Sequence, residues 1–372
     1  GAEDNYEAHF NTQFKHNYNH VSRAQMYGFM NRHLGLGFEE PVLERDFEFL
    51  GREDLTVYDG SVVPRVEPEP EPGAHEREVC QWWSRYGVPR RTSLKGAGKM
   101  KKADFEVMRG GWEVIMGREM PEVDMLEGER LDGSDDEGYM ELEFVVRNLE
   151  HGEEVSCVAI APGTAATFAP ENWGGKVVMW VHPEGKAGLY DADGTVRLEV
   201  LRLIDDGYTV LCADLFGGGG KEEEGEKAEE IREGQEWRAH SIYFYGYNDP
   251  LFVRRVHDLM AVAVFARENE PYPAKELVVA GVEGGGKWVA ALGAMEGVMG
   301  EYADRMVMEV DGFRFRDLED VWDADFVPGA VKYGDVEGLV TMLGGDEKEV
   351  WVSGVEGVDE RDGDWVDWIV ND

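Results

Sequence analysis

Positive charge is what this sequence has least of relative to its counterpart. Its 372 residues carry 37 lysines and arginines against 77 aspartates and glutamates, a formal net charge of −40. A surface of that sign repels phosphate backbones and anionic headgroups, which excludes nucleic acid and an anionic membrane face as partners. Cysteine is scarce as well. Cys80, Cys157 and Cys212 are odd in number and far apart, with no disulfide framework and no C-x-x-C metal pattern. No apolar run approaches the roughly 20 residues of a membrane-spanning helix. No H-E-x-x-H pair occurs among the nine histidines, and no serine stands in a G-x-S-x-G turn. The motifs give no metal and no cofactor.

What is present belongs to a folded chain. Hydrophobic residues make up 42% and aromatics 11%, enough for one large or two medium domains. The acidic surface fits either adaptation to high salt or plain solubility. Cys157 and Cys212 lie in apolar runs and are expected in the core.

The first fifty residues read as strand, loop, helix. "NYEAHFNTQF" alternates like an extended segment. Val21, Ala24, Met26, Tyr27, Phe29, Met30 and Leu34 then make a helical stripe, with Ser22 as a candidate cap and Gly35 or Gly37 as the stop. "VVPRVEPEPEPGAHE" is a stiff, solvated connection. Residues from about 76 to 126 read as helical, with Gly110 and Gly111 weakening the pattern in its apolar stretch. From about 138 onwards, strands alternate with helices. The apolar runs "KVVMWV", "TVLCAD" and "ELVVAG" are typical of a buried parallel sheet, and "DPLFVRRVHDLMAVAVFARE" reads as an amphipathic helix. The acidic stretch "GGGGKEEEGEKAEEIREG" reads as a solvated excursion. The aromatic segments "QWWSRYG" and "SIYFYGYNDPLF" suit core packing, with sugar stacking or partner contact as the alternative.

The turn "GVEGGG", Gly281 to Gly286, joins a buried strand to a helix, where an α/β-hydrolase carries its nucleophile. Here Glu283 holds that position. Lys287 lies nearby, but the glycine spacing fits neither a P-loop nor a dinucleotide turn. A packing turn left from a lost active site is the better reading. The last histidine, His257, precedes the turn, so this half cannot assemble a triad in the usual Ser-acid-His order. Asp214, Asp311 and Asp359 then read as loop caps and surface acids. His182 occupies an oxyanion-loop position, and both it and His257 read as hydrogen-bonded structural histidines. His16, His20 and His33 cannot be assigned to one site from spacing. His16 follows an extended segment and precedes a helix, as the general base of such a hydrolase does; a structural loop histidine is the alternative.

"HNYNHVSRAQMYGFMNRHLGLG" resembles the end of the catalytic domain in large bacterial α/β-hydrolases of the acetyl xylan esterase-like kind. The matching residues are Phe14, His16, Asn17, Tyr18 and Asn19, then Ser22, Arg23, Met26 and Tyr27, then Asn31, His33, Leu34, Gly35 and Leu36. Later segments, among them "YFYGYNDPLFVRRVHD" and "DADFVPGAVKYGD", resemble the degenerate second half of the same tandem proteins. The resemblance implies that His16 is a triad base whose serine and acid lie upstream of this chain. It implies residues 1–55 as the end of a first hydrolase domain, 56–137 as linker and helical region, and 138–372 as a second, degenerate α/β-hydrolase-like domain. The expected fold class is α/β, an open, mostly parallel hydrolase-like sheet flanked by helices. The implied activity is carboxylic-ester hydrolysis on an ester or acetylated carbohydrate, with the upstream hydrolase half as partner and export from the cell. The rival is a non-catalytic scaffold for binding or assembly, with a homo-oligomer among its forms.

Overall fold

A computed structural model describes residues 5–56, 102–135, 138–164, 166–218, 245–295, 298–319, 323–343, 349–355, 358, 361 and 363–371. The Pro/Glu-rich connection, "QWWSRYG", Cys80, Asp359 and most of the acidic stretch lie outside these residues. The chain divides into two compact units, Gly1–Glu69 and Pro70–Asp372.

The first unit is built on α1 (His20–Leu34), followed by the single turn α2 (Arg52–Leu55). Asn19, not Ser22, caps α1, accepting hydrogen bonds from the Val21 and Ser22 backbone amides at 3.0 and 3.2 Å. Gly35 ends the helix as expected, in the left-handed conformation at φ 62°. The segment "NYEAHFNTQF", expected as a strand, enters no strand pairing among the described residues, because alternation makes a strand only where a partner is available. The apolar stripe of α1 has no buried member. Asn31 is the one buried residue described in this unit, and it donates to the Phe38 carbonyl while accepting from the Phe38 amide.

The second unit is an α/β sheet of eight strands: β1 (Leu126–Asp135), β2 (Tyr139–Asn148), β3 (Glu153–Pro162), β4 (Lys176–Val181), β5 (Thr209–Asp214), β6 (Glu276–Gly281), β7 (Arg305–Glu309) and β8 (Val350–Ser353). Their order is β1-β2-β3-β5-β4-β6-β7-β8. β5, β4, β6, β7 and β8 run parallel, while β1, β2 and β3 form an antiparallel meander that joins β5. The helices are α3 (Lys102–Met116), α4 (Leu198–Asp205), α5 (Leu251–Glu268), α6 (Gly286–Gly293), α7 (Asp335–Leu343) and α8 (Trp365–Asn371).

The period of two in each strand sorts the core onto two faces. Val177, Met179, Leu211, Val279 and Met306 pack toward α3, α5, α6 and α7. Val178, Trp180, Val210, Cys212 and Val307 pack toward α4 and α8. Cys157 and Cys212 are buried as expected, and burial pushes both thiols well above their usual range, so neither serves as a nucleophile.

Two expectations need correction, and a third is met. α5 is not amphipathic; residues 256–264 are all buried, since the helix lies between the sheet and α3 and α6. The helix expected across the glycine pair is present as α3, where Gly111 is a packing position: a Cβ there would stand 2.3 Å from the Tyr333 ring. The helical region also gives way to strand β1, whose sequence LEGERLDGSD has little β propensity. Its backbone is held by pairing with β2 rather than by its own residues.

Candidate active-site elbow

β6 delivers the chain into a turn at the carboxyl end of the sheet, and α6 leaves it. The glycines of the turn are set by space: a Cβ would lie 2.6 Å from the Gly286 nitrogen at Gly281, 2.2 Å from the Val181 carbonyl at Gly285, and 2.5 Å from the Glu309 carbonyl at Gly286. The backbone has to pass this close for α6 to sit on the strands, so only glycine fits. Between them Glu283 takes φ 48°, a left-handed conformation that costs a non-glycine residue free energy. A strained residue on a tight strand-to-helix turn is the geometry of a hydrolase nucleophile elbow. With the strand order, it makes this unit an α/β-hydrolase-like fold.

The Glu283 carboxylate is committed elsewhere. His182, on the loop after β4, donates from Nε2 to Glu283 Oε2 at 3.0 Å, and Arg197 at the start of α4 pairs with Oε1. These two hydrogen bonds hold the Glu283 carboxyl below the usual carboxylate range. The tautomer of His182 follows from its other nitrogen. Nδ1 accepts the Glu184 backbone amide at 3.0 Å, so Nε2 carries the proton. His182 therefore offers the elbow a donor and no free lone pair. Its ring is 4% exposed and lies over Gly188, where a Cβ would stand 2.2 Å from it. The expectation of a hydrogen-bonded structural histidine is met in both cases, since His257 donates from Nε2 to the Met116 carbonyl at 2.8 Å. Burial lowers the His257 pKa to about 4.

The acids at the strand ends divide. Asp214 is a cap: its carboxylate accepts the Lys186 amide at 2.9 Å and faces the Lys186 ammonium at 3.2 Å. Asp311 is exposed at φ 52° beside Gly354. Glu309 receives the Glu283 backbone amide at 3.2 Å, and burial together with the Asp311 and Glu283 charges raises its pKa. Lys287 turns away from the elbow to Asp325 at 2.5 Å, which removes the one cation a phosphate reading needed. Arg197 escaped the sequence reading because eighty-six residues separate it from Glu283. Its one signal is a cation at a helix start, where the dipole disfavours it.

In the first unit, His16 stands on the exposed loop before α1 and has no hydrogen-bond partner among the described residues. The loop around it is fixed by Asn17, which donates to the Lys15 carbonyl at 2.7 Å and accepts the Asn19 amide at 3.1 Å. Arg23 holds the Tyr18 carbonyl at 2.6 Å and pairs with Glu44, which also accepts the Tyr27 hydroxyl. His33 packs on Phe29 with ring centroids 4.2 Å apart. Among the described residues no three His, Cys, Asp or Glu side chains converge to hold a metal ion.

No family model matches the chain, and no curated protein matches it. Solved structures similar to it include a candidate acetyl xylan esterase from Bacteroides fragilis NCTC 9343, at 14% identity and TM-score 0.45, covering 64% of each chain. Acetyl xylan esterase 1 from Thermoanaerobacterium sp. JW/SL YS485 shares 17% identity over 70% of this chain and 78% of its own, at TM-score 0.36. An acetyl xylan esterase from Paenibacillus sp. R4 shares 11% identity over 70% and 81%, at TM-score 0.37. The chain thus spans under two thirds of the first of these. At such values the likeness carries no weight for activity, and the fold class stands on the strand order and the elbow.

Proposed function

We propose that this chain forms part of a carboxylic-ester hydrolase of the acetyl xylan esterase-like kind, acting on acetylated carbohydrate. His16 is its general base, and the serine and acid of the triad come from outside these 372 residues. His16 takes the serine proton as Oγ attacks the acyl carbon and returns it to the departing alcohol. It then activates the water that releases the acyl group. The second unit takes no part in the chemistry, because its elbow carries an ion-paired carboxylate. A polymeric substrate would place the enzyme outside the cell.

One observation supports the reading above others. The first unit leaves Phe10, Phe38, Leu43, Phe47, Phe49 and Leu50 more than half exposed, and it carries an imidazole, His16, with no partner among the described residues. Apolar surface on that scale is characteristic of a fragment of a larger core, the setting in which a triad base is normally found. A fluorophosphonate probe applied to protein from the native source tests it. The expected result is one labelled serine outside this chain, with labelling lost in His16→Ala. A labelled serine within residues 102–371, or full labelling of His16→Ala, overturns the assignment. No labelled serine at all leaves the non-catalytic scaffold. Glu283→Ser adds a control: it should stay unlabelled, since His182 Nε2 presents a proton rather than a base.

A further inference from the structure

At the end of the sheet opposite the elbow, where β4 and β5 begin, the second unit encloses a cavity of about 320 Å³. That volume lies within the range of small-ligand sites, roughly 300–1,000 Å³. Its walls are aromatic. Phe168 stacks on Tyr272 with centroids 4.9 Å apart, and Trp173 meets Tyr272 edge-on at 5.8 Å. Phe265, stacked on Phe144 at 5.9 Å, forms the facing wall. β1 passes directly over that ring at Gly128, where a Cβ would stand 2.4 Å from it.

Three polar side chains reach this space without protein partners among the described residues: Arg130, Thr209 and Asn269. Thr209 is only 6% exposed as a residue, and its hydroxyl has no hydrogen-bond partner among the described residues. The residue lines the cavity, where that hydroxyl is open to a ligand. Arg130 has no ion-pair partner among the described residues, although the chain is rich in acidic ones. Its guanidinium lies over Gly133, where a Cβ would be 2.5 Å from Nη2.

We propose that this cavity binds a small organic carboxylate with a flat apolar body. The body stacks within the aromatic walls, the carboxylate pairs with the planar fork of Arg130, and Thr209 and Asn269 supply further hydrogen bonds. A cationic ligand would suit the rings but meet the guanidinium. A phosphate ester would find a single cation and no further positive charge lining the site. The site is independent of ester hydrolysis and lies at the other end of the sheet from Glu283.

The test is a fluorine NMR titration of the full chain with 4-fluorobenzoate, and with neutral 4-fluorobenzamide for comparison. Saturable binding of the carboxylate is expected, with the amide weaker by about tenfold or more. Arg130→Ala, on an exposed edge strand, should weaken the carboxylate by about tenfold and bring it level with the amide. Thr209→Val, which keeps shape, should weaken it by about threefold or more. Absence of saturable binding, or a carboxylate and amide that bind the wild-type chain within twofold of each other, overturns the proposal. So does a binding loss caused equally by Glu283→Ala, which would move the ligand to the elbow.

Discussion

The two units of the chain place their apolar side chains in opposite ways. In the second, both faces of the parallel strands are covered, and the interiors of β4, β5, β6 and β7 are buried to a few per cent. In the first, a fifteen-residue helix buries no apolar side chain, and its one buried residue is the polar Asn31. Local chemistry is equally well formed in both: α1 has an asparagine cap and a left-handed glycine stop. Helical geometry therefore follows from local signals, whereas a core requires enough chain on both sides of each element. The second unit has that, and the first does not have it among its described residues.

The largest effect that would test this contrast lies in α5. Leu259 is 1% exposed between the sheet and the neighbouring helices. Leu259→Ala should cost about 2–5 kcal/mol, combining lost transfer free energy with an unfilled cavity. Urea unfolding followed at the second unit's tryptophans would measure it. A cost below about 1 kcal/mol would mean that this core is far looser than its burial indicates.

The same contrast explains what the sequence could disclose. The parallel strands were legible because "KVVMWV", "TVLCAD" and "ELVVAG" are apolar through their interiors with polar residues only at their ends, a pattern that two-sided burial requires. The elbow was legible because three of its glycines have no sterically acceptable substitute. β1 was not, since an edge strand held by its neighbour's backbone needs no pattern of its own. The Arg197–Glu283–His182 arrangement was legible only in part. Glu283 and His182 stood out as departures from a hydrolase pattern, but Arg197, just before α4, meets Glu283 only in the folded chain.

A second test uses two neighbours in α5 whose titrations oppose each other. Burial raises the Asp258 pKa to about 7, outweighing the hydrogen bond it accepts from the Phe216 amide. Burial lowers that of His257 to about 4. Between roughly pH 4 and 7 the folded protein holds a proton on Asp258 that the unfolded chain has lost, so Asp258 removes stability as pH rises. Between about pH 4 and 6.5 the unfolded chain takes up a proton on His257 that the folded one refuses, so His257 adds stability as pH rises. Each swing is on the order of 3 kcal/mol, and over their shared window they largely cancel. Asp258→Asn should expose the His257 limb, giving a melting temperature that climbs from pH 4 to 6.5. His257→Gln should give the reverse, a decline from pH 4 to 7. Matching flat profiles in both variants would break the account of a dry second core.

The smallest effect bears most directly on the first unit. Leu34, in the last turn of α1, is 64% exposed. In this chain Leu34→Ala removes little buried surface, so the change in amide-exchange protection along α1 should stay within about 0.5 kcal/mol. In a longer protein that supplies the missing side of the core, the same leucine would be covered, and the cost should rise to about 2 kcal/mol or more. The pair of measurements separates two explanations of the same exposed surface. A cost that grows with the longer chain identifies the first unit as one side of a divided core, with His16 carried at its edge. A cost that stays small in both identifies it as a solvated appendage, and the histidine would then have no hydrolase core to serve.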